Sequence, residues 1–321
     1  MKIAILGSGA TGSAFGAYLM LGGAEDITLI DLYKEHMDAV RDNGLLFKDH
    51  NGERVVSGFK TAYTADEVGL VDILIVLVKS THTKSALAGA KCCIGENTVV
   101  ISLQNGLGND LALSEFVPMS RIGCGCGRIG TELAGPGRCI ARPSQGISNM
   151  FVGPVERSEL SAVACKYVAD AFAKGGLNPE YHDDIRPYIW KKAAANSGFN
   201  TVCAVLGLTM KQVYEDPNGF GLVKAILKEA SDVAAAMGVA PNLYDGLVAD
   251  VPTTVKSYGD YYPSLAQDLL IYKRPTEVDT LSGAISTYGK MAKVPTPVCD
   301  VLSEVVRAIQ SNYAVRYKDK E

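Results

Sequence analysis

No apolar run in the chain approaches the ~20 residues that a membrane-crossing helix requires, and stretches such as Val71–Val78 fall far short. Neither sign of charge dominates: 31 lysines and arginines face 35 aspartates and glutamates, a net charge of −4. Nucleic acid and an acidic membrane surface therefore gain no electrostatic support as partners. None of the eight cysteines forms a CxxC pair, and no histidine stands at ligand spacing from them. Cys124-Gly-Cys126 alone is short of the four ligands a structural zinc needs, so no metal is expected. With 47% hydrophobic and 21% charged residues in a chain of 321, the composition excludes disorder and leaves room for two folded domains. Met1 leads directly into Lys2-Ile3-Ala4-Ile5-Leu6 without a cleavage site. A soluble, cytoplasmic protein with reduced, mostly packed thiols is the expectation.

What is present begins with a βαβ rhythm. Lys2–Leu6 predicts a strand, Gly12–Leu21 a helix, Ile27–Ile30 a strand and Lys34–Asp42 a helix. Val71–Val78 and Thr98–Ser102 are near-continuous apolar runs, as central parallel strands covered on both faces require. From Arg121 to Gly153 short β-like pieces lie among glycines, and Ser158–Ala173 restores helical spacing. After His182 the chain predicts helices over Ile185–Leu206, Phe220–Met237, a long stretch from Ser264 to Met291, and Pro297–Ser311. The charged tail Tyr317–Glu321 is expected to fray. The expected fold is an α/β Rossmann domain with a doubly wound parallel sheet over residues 1–180, followed by an all-α substrate and catalytic domain over 181–321.

Gly7-Ser8-Gly9-Ala10-Thr11-Gly12 matches GxGxxG, follows a predicted strand and opens a predicted helix. Its glycines let the backbone approach a pyrophosphate, whose charge the unpaired N–H groups of a helix start stabilise. Asp31, nineteen residues after Gly12, ends the second predicted strand. A carboxylate there accepts from both ribose hydroxyls and repels a 2′-phosphate, so NAD is favoured, with NADP as the alternative because Lys34 stands nearby. Lys192, Asn196 and Asn200 recur at i, i+4 and i+8 among apolar neighbours, which puts one ammonium and two amides on a single helix face. Such a row suits a small keto acid; a solvated polar stripe is the competing explanation.

These features, with Val78-Lys79, Gln104-Asn105-Gly106-Leu107-Gly108, Ile185-Arg186, Trp190-Lys191-Lys192, Pro263-Ser264-Leu265-Ala266-Gln267-Asp268 and Arg274-Pro275-Thr276-Glu277-Val278-Asp279, resemble the ordered motifs of the ketopantoate reductase family along essentially the whole chain. The resemblance implies hydride transfer from NAD(P)H to a 2-keto acid, giving a D-2-hydroxy acid. It also implies that Lys192 is the proton donor and Glu277 a second catalytic group reaching the substrate hydroxyl, the lysine or the nicotinamide ribose. Asn105 would touch substrate and nicotinamide, Asn196, Asn200 and Ser264 would hold the substrate, and Lys79 would lie near the cofactor. A homodimer is the expected assembly.

Three departures from the family pattern bear on specificity. Asp31 stands where a basic residue usually binds the NADP phosphate. Gly207-Leu208-Thr209-Met210 occupies a stretch where a further asparagine is common. The interval from Asp268 to Glu277 is one residue longer than usual, a feature of the NAD-dependent D-2-hydroxyacid dehydrogenases that act on branched or aromatic 2-keto acids. A non-catalytic NAD-binding redox sensor is the alternative from another class, and it has no need of the Lys-Asn-Asn row. A 3-hydroxyacid type of dehydrogenase shares the two-domain plan but is disfavoured by the Glu277 motif.

Overall fold

The computed structural model describes residues 1–316; the tail Tyr317–Glu321 lies outside the described residues. The chain folds into two compact units, Met1–Gln104 with Asn109–Ile185, and Asn105–Gly108 with Arg186–Glu321. The short loop Asn105–Gly108 thus groups with the helical unit although its flanking residues belong to the first.

In the first unit the apolar runs become sheet strands in the order the βαβ rhythm dictates. These are β1 (Lys2–Leu6), α1 (Ala10–Leu21), β2 (Asp26–Ile30), α2 (Lys34–Asn43), β3 (Leu45–Asp49), β4 (Gly52–Val56), β5 (Lys60–Ala62), β6 (Ile73–Val76), α3 (Thr83–Gly89), β7 (Val99–Ser102) and α4 (Asn109–Ser114). They are followed by β8 (Ile122–Gly127), β9 (Ile129–Gly135), β10 (Arg138–Pro143), β11 (Met150–Pro154), α5 (Glu159–Lys174) and β12 (Pro179–Tyr181). Eight strands form one sheet in the order β12-β11-β8-β7-β6-β1-β2-β5, parallel except where β11 meets β8. Every residue of β6 and β7 is buried, as expected when helices cover both faces.

A second sheet, β4-β3-β10-β9, was not foreseen from the sequence. Its strands alternate rather than run apolar: β3 buries Leu45, Phe47 and Asp49 while Lys48 is exposed. Asp49 sits in this sheet as the acceptor of two Arg54 N–H groups at 3.0 and 2.9 Å, which satisfies its buried charge. Tyr18 of α1 packs edge-on against Phe47 with ring centroids 5.1 Å apart, so the second sheet shares the core on which α1 rests.

The second unit holds α6 (Arg186–Leu206), α7 (Met210–Glu215), α8 (Pro217–Ala236), α9 (Tyr244–Tyr258), α10 (Ser264–Ala266), α11 (Ser282–Ala292), α12 (Pro297–Ser311) and α13 (Tyr313–Arg316). Asp216 caps α8 by accepting from the Gly219 N–H at 2.6 Å, with Pro217 in the first turn where its missing N–H costs nothing. Val223, Ile226, Leu227, Ala230 and Val233 are buried on the face their spacing defines. The expected long helix from Ser264 to Met291 is broken. A π-turn over Gln267–Ile271 leads to Lys273 at φ 49° and then Pro275, neither of which continues an α-helix. Helix α9 was missed because Gly246 and the internal Pro252 obscure its pattern. Among the described residues no helix is long and apolar enough to cross a membrane.

Candidate active site

In the helical unit, α6 carries Lys192, Asn196 and Asn200 along one face of a continuous helix. Much of the helix is packed: Trp190, Ala193, Ala194, Phe199 and Val202 are buried, and Trp190 meets the Tyr288 ring at 5.4 Å. Asn196 and Asn200 line a pocket together with Asn105, Ser264, Leu265, Asp268, Glu277, Thr280 and Leu281. Lys192 Nζ donates to Asn105 Oδ1 at 2.6 Å. Asn200 is 6% exposed, and its Nδ2 donates to Ser264 Oγ at 3.5 Å.

Loops from distant parts of the sequence complete the pocket. Gly106 has φ +90°, and a Cβ added there would stand 2.4 Å from the Thr280 carbonyl oxygen, so only glycine permits this approach. The next residue, Leu107, donates its N–H to that same oxygen at 2.8 Å. Glu277 is placed by its neighbour: Thr276 donates from its N–H and its hydroxyl to Gln310 Oε1 of α12, at 3.1 and 2.9 Å.

Asp268 is a pocket residue to which sequence reasoning assigned no role. The Tyr272 N–H donates to the Gln267 carbonyl five residues back, which makes this turn one residue wider than an α-turn. Arg274 then folds back, donating from its backbone N–H to the Asp268 carbonyl at 3.1 Å and from Nε to Asp268 Oδ1 at 2.5 Å. Asp268 is 6% exposed, and the guanidinium pairs a charge that would otherwise be costly to bury. Thr209 instead caps α7, where its hydroxyl accepts from the Gln212 N–H at 3.4 Å. The pocket therefore combines three amides, two hydroxyls and two carboxylates, and the Lys192 ammonium is bonded to one of those amides. That donor set matches a small molecule bearing a carboxylate and a carbonyl or hydroxyl oxygen.

In the first unit, the glycine loop and Asp31 meet at the carboxyl ends of neighbouring strands. The Gly7 and Ser8 N–H groups donate to the Ile30 carbonyl at 3.0 and 3.1 Å, next to Asp31, whose carboxylate accepts from the Tyr33 N–H at 2.9 Å. Gly7 has φ +93°, and an added Cβ would lie 2.5 Å from Val78 N, which brings the Val78-Lys79 segment against the loop. At Gly12 an added Cβ would reach the Gly7 oxygen at 2.2 Å, whereas at Gly9 it would meet nothing within 4 Å. Gly9 is the N-cap of α1, with no side-chain cap and no acidic residue in the first turn. This helix start can take an anion such as a pyrophosphate, and with Asp31 it fits a dinucleotide. Lys34, which kept NADP in view, places its Nζ 5.3 Å from the Tyr63 ring centroid.

Exposed Lys79 stands just beyond β6. Its segment is pinned by Gln104, a buried residue of the quoted motif to which sequence reading gave no role: Gln104 Nε2 donates to the Val78 carbonyl at 2.7 Å and to Thr83 Oγ1 at 2.8 Å. Its position at a strand end, immediately before Asn105, was the available signal.

The chain is similar to known proteins along almost its whole length. Residues 3–156 match the family described as ketopantoate reductase PanE/ApbA, and residues 184–310 match ketopantoate reductase PanE/ApbA C terminal. A 2-dehydropantoate 2-reductase from Streptococcus pyogenes serotype M18 is 32% identical over 308 residues, covering 96% of this chain and 97% of the relative. One from Lactococcus lactis subsp. lactis is 31% identical over 314 residues, covering 96% and 97%. Among solved structures, a D-mandelate dehydrogenase with NADH and anilino(oxo)acetate is 30% identical, covers 98% of this chain and 100% of its own, and superposes with a TM-score of 0.85. A putative 2-dehydropantoate 2-reductase from Enterococcus faecalis is 31% identical, with coverages of 97% and 98% and a TM-score of 0.76. The ordered motifs, the two-unit architecture and these full-length similarities together make the chain a member of the ketopantoate reductase PanE/ApbA family.

Proposed function

We propose that this protein is a reductase of 2-keto acids that draws on NADH in preference to NADPH and releases a D-2-hydroxy acid. The observation that carries the reading is the Lys192 ammonium bonded to Asn105, which lines a pocket with Asn196, Asn200, Ser264 and Glu277. A bound reduced nicotinamide supplies the hydride that the keto carbon accepts. Negative charge then grows on the substrate oxygen, where the Lys192 ammonium stabilises it and gives up a proton from Nζ. Lysine has three N–H donors, so one directed to Asn105 orients the group for this transfer. Asn105, Asn196, Asn200 and Ser264 hold the substrate's carboxylate and carbonyl in one orientation, and the Glu277 carboxylate accepts from the nascent hydroxyl or the lysine. Gly7, Ser8, Gly9, Ala10, Thr11 and Gly12 hold the cofactor's pyrophosphate, Asp31 its adenine ribose, and Lys79 and Asn105 the nicotinamide end. Residues 1–180 act as the dinucleotide domain and 181–321 as the substrate domain, in a cytoplasmic homodimer.

Two substrate classes fit this chemistry. 2-Dehydropantoate is supported by the 2-dehydropantoate 2-reductases at 28–32% identity. Branched or aromatic 2-keto acids are supported by the likeness to the D-mandelate dehydrogenase and by the widened turn between Asp268 and Glu277. NADH oxidation with 2-dehydropantoate, 2-ketoisovalerate, 2-ketoisocaproate and phenylglyoxylate tests both. One dominant kcat/KM identifies the substrate, and no turnover of any of the four overturns the proposal.

A further inference from the structure

His36 of α2 is fully buried, and the chemistry above makes no use of it. Both ring nitrogens are engaged. The Gly137 N–H donates to Nδ1 at 2.9 Å, which fixes the ring as neutral with its proton on Nε2. Nε2 then donates to Ser13 Oγ at 2.8 Å, and the Ser13 hydroxyl donates onward to the Ser8 carbonyl oxygen at 2.8 Å. A relay of three hydrogen bonds therefore runs from the turn between β9 and β10 to the second residue of the glycine loop.

The end of the relay has a geometric consequence. The Ser8 carbonyl and the Gly9 N–H belong to one planar trans peptide and point in opposite directions. Tethering the carbonyl to Ser13 inside the protein turns the Gly9 N–H outward, at the N-cap of α1 where an added Cβ would meet open space. Ser8 is held from its side chain as well: its hydroxyl donates to the Ile5 carbonyl at 3.0 Å and accepts from the Ile30 N–H at 3.1 Å. The second sheet grips the same helix start at two further points. Thr11 Oγ1 and Thr131 Oγ1 are 2.9 Å apart, and Cys139 Sγ donates to the Ala10 carbonyl at 3.3 Å. On the other side of the imidazole, Tyr33 stacks at 6.1 Å, two residues beyond Asp31.

We infer that His36 is a positioning residue for the dinucleotide, acting through Ser13 and Ser8 to aim the Gly9 amide of the glycine loop and using the second sheet as its fixed support. The inference rests on the proposed role of Gly7–Gly12 in holding a pyrophosphate. It predicts that His36 governs cofactor affinity and leaves the keto acid pocket of the other unit alone.

The test compares His36→Phe, which keeps the ring volume and removes both hydrogen bonds, with His36→Gln, which keeps one donor and one acceptor. NADH dissociation constants are measured by fluorescence titration, alongside the keto acid KM at saturating NADH and the melting transition. In His36→Phe the NADH Kd rises by roughly 5–100-fold, the range for a buried donor left without a partner, while the keto acid KM moves by less than about two-fold. His36→Gln recovers much of that loss. A cooperatively folded His36→Phe that binds NADH like the wild type overturns the inference. So does an equal loss in the Phe and Gln variants accompanied by an equal rise in keto acid KM, since that is general destabilisation. If His36→Phe does not fold, Ser13→Ala carries the test, because it cuts the relay without adding volume; unchanged NADH affinity there is again fatal. A wild-type protein that shows no dinucleotide binding in the same titration instead overturns the underlying reading, and the inference with it.

Discussion

The Lys192 ammonium donates to the Asn105 side-chain oxygen at 2.6 Å across 87 positions of sequence. The contact joins the middle of a helix to a glycine-flanked loop that groups with the helical unit despite lying inside the sequence of the other. An ammonium on a four-carbon stem is mobile by itself. Held by an amide oxygen, it is fixed in a defined direction, which is what proton transfer in a transition state requires.

Lys192→Ala should lower kcat by roughly 10²–10⁴, the range for a lost general acid, while NADH affinity stays within error of wild type. Steady-state kinetics with a direct binding titration check this. Near-normal turnover in the variant removes Lys192 from the proposed role.

Asn196→Ala, Asn200→Ala and Ser264→Ala should each reduce kcat/KM for the keto acid by about 1–3 kcal/mol in transition-state terms, the cost of leaving a buried polar partner unmatched. The effect should be largest at buried Asn200 and smallest at exposed Ser264, and these two should be less than additive because their side chains share a hydrogen bond. A double-mutant cycle measures this. Wild-type keto acid kinetics in all three would move the substrate elsewhere.

Gly106→Ala places a methyl group 2.4 Å from the Thr280 carbonyl on a backbone with φ +90°. The loop must shift, at a cost on the order of 1–3 kcal/mol, and Asn105 shifts with it. Keto acid kcat/KM should fall by a larger factor than NADH affinity, read by the same titration, because Asn105 meets only the nicotinamide end of the cofactor in the proposed site. Full activity would mean that Asn105 needs no fixed position.

Asp31→Arg should exchange the cofactor preference, since a guanidinium offers two parallel donors where the carboxylate repels a 2′-phosphate. The ratio of kcat/KM for NADH and NADPH, measured with one good keto acid, is above one in the wild type and falls below it in the variant. A wild type that prefers NADPH would contradict the role given to Asp31.

His36 makes stability depend on pH. Burial holds its pKa below the usual 6.5, outweighing the opposing influence of Asp31 and of the nearby Ser8 backbone. The unfolded chain takes up a proton near pH 6.5 while the folded one does not, so the unfolded state binds more protons below that pH. Its contribution is complete above about 6.5 and is lost as pH falls through that value toward the folded pKa, with a slope of at most ~1.4 kcal/mol per pH unit. Melting temperatures at pH 7.5 and 5.5 should therefore drop more in wild type than in His36→Gln. Equal drops would place the acid sensitivity elsewhere.

Local pattern alone determined the βαβ start, the buried strands β6 and β7, the break between α/β and helical segments, and the alignment of Lys192, Asn196 and Asn200. Each of these depends on periodicity or on backbone constraints that act within a few residues. The second sheet, the widened turn at Gln267–Ile271 and the partners of Lys192, Asp268 and His36 were decided by tertiary structure. Strands such as β3 and β9 carry weak alternating patterns that become strands only by pairing with their neighbours, β4 and β10 for β3 and β10 for β9. A hydrogen bond between residues 87 or 101 positions apart leaves no trace in local spacing, because chain closure brings the partners together only after both elements have packed.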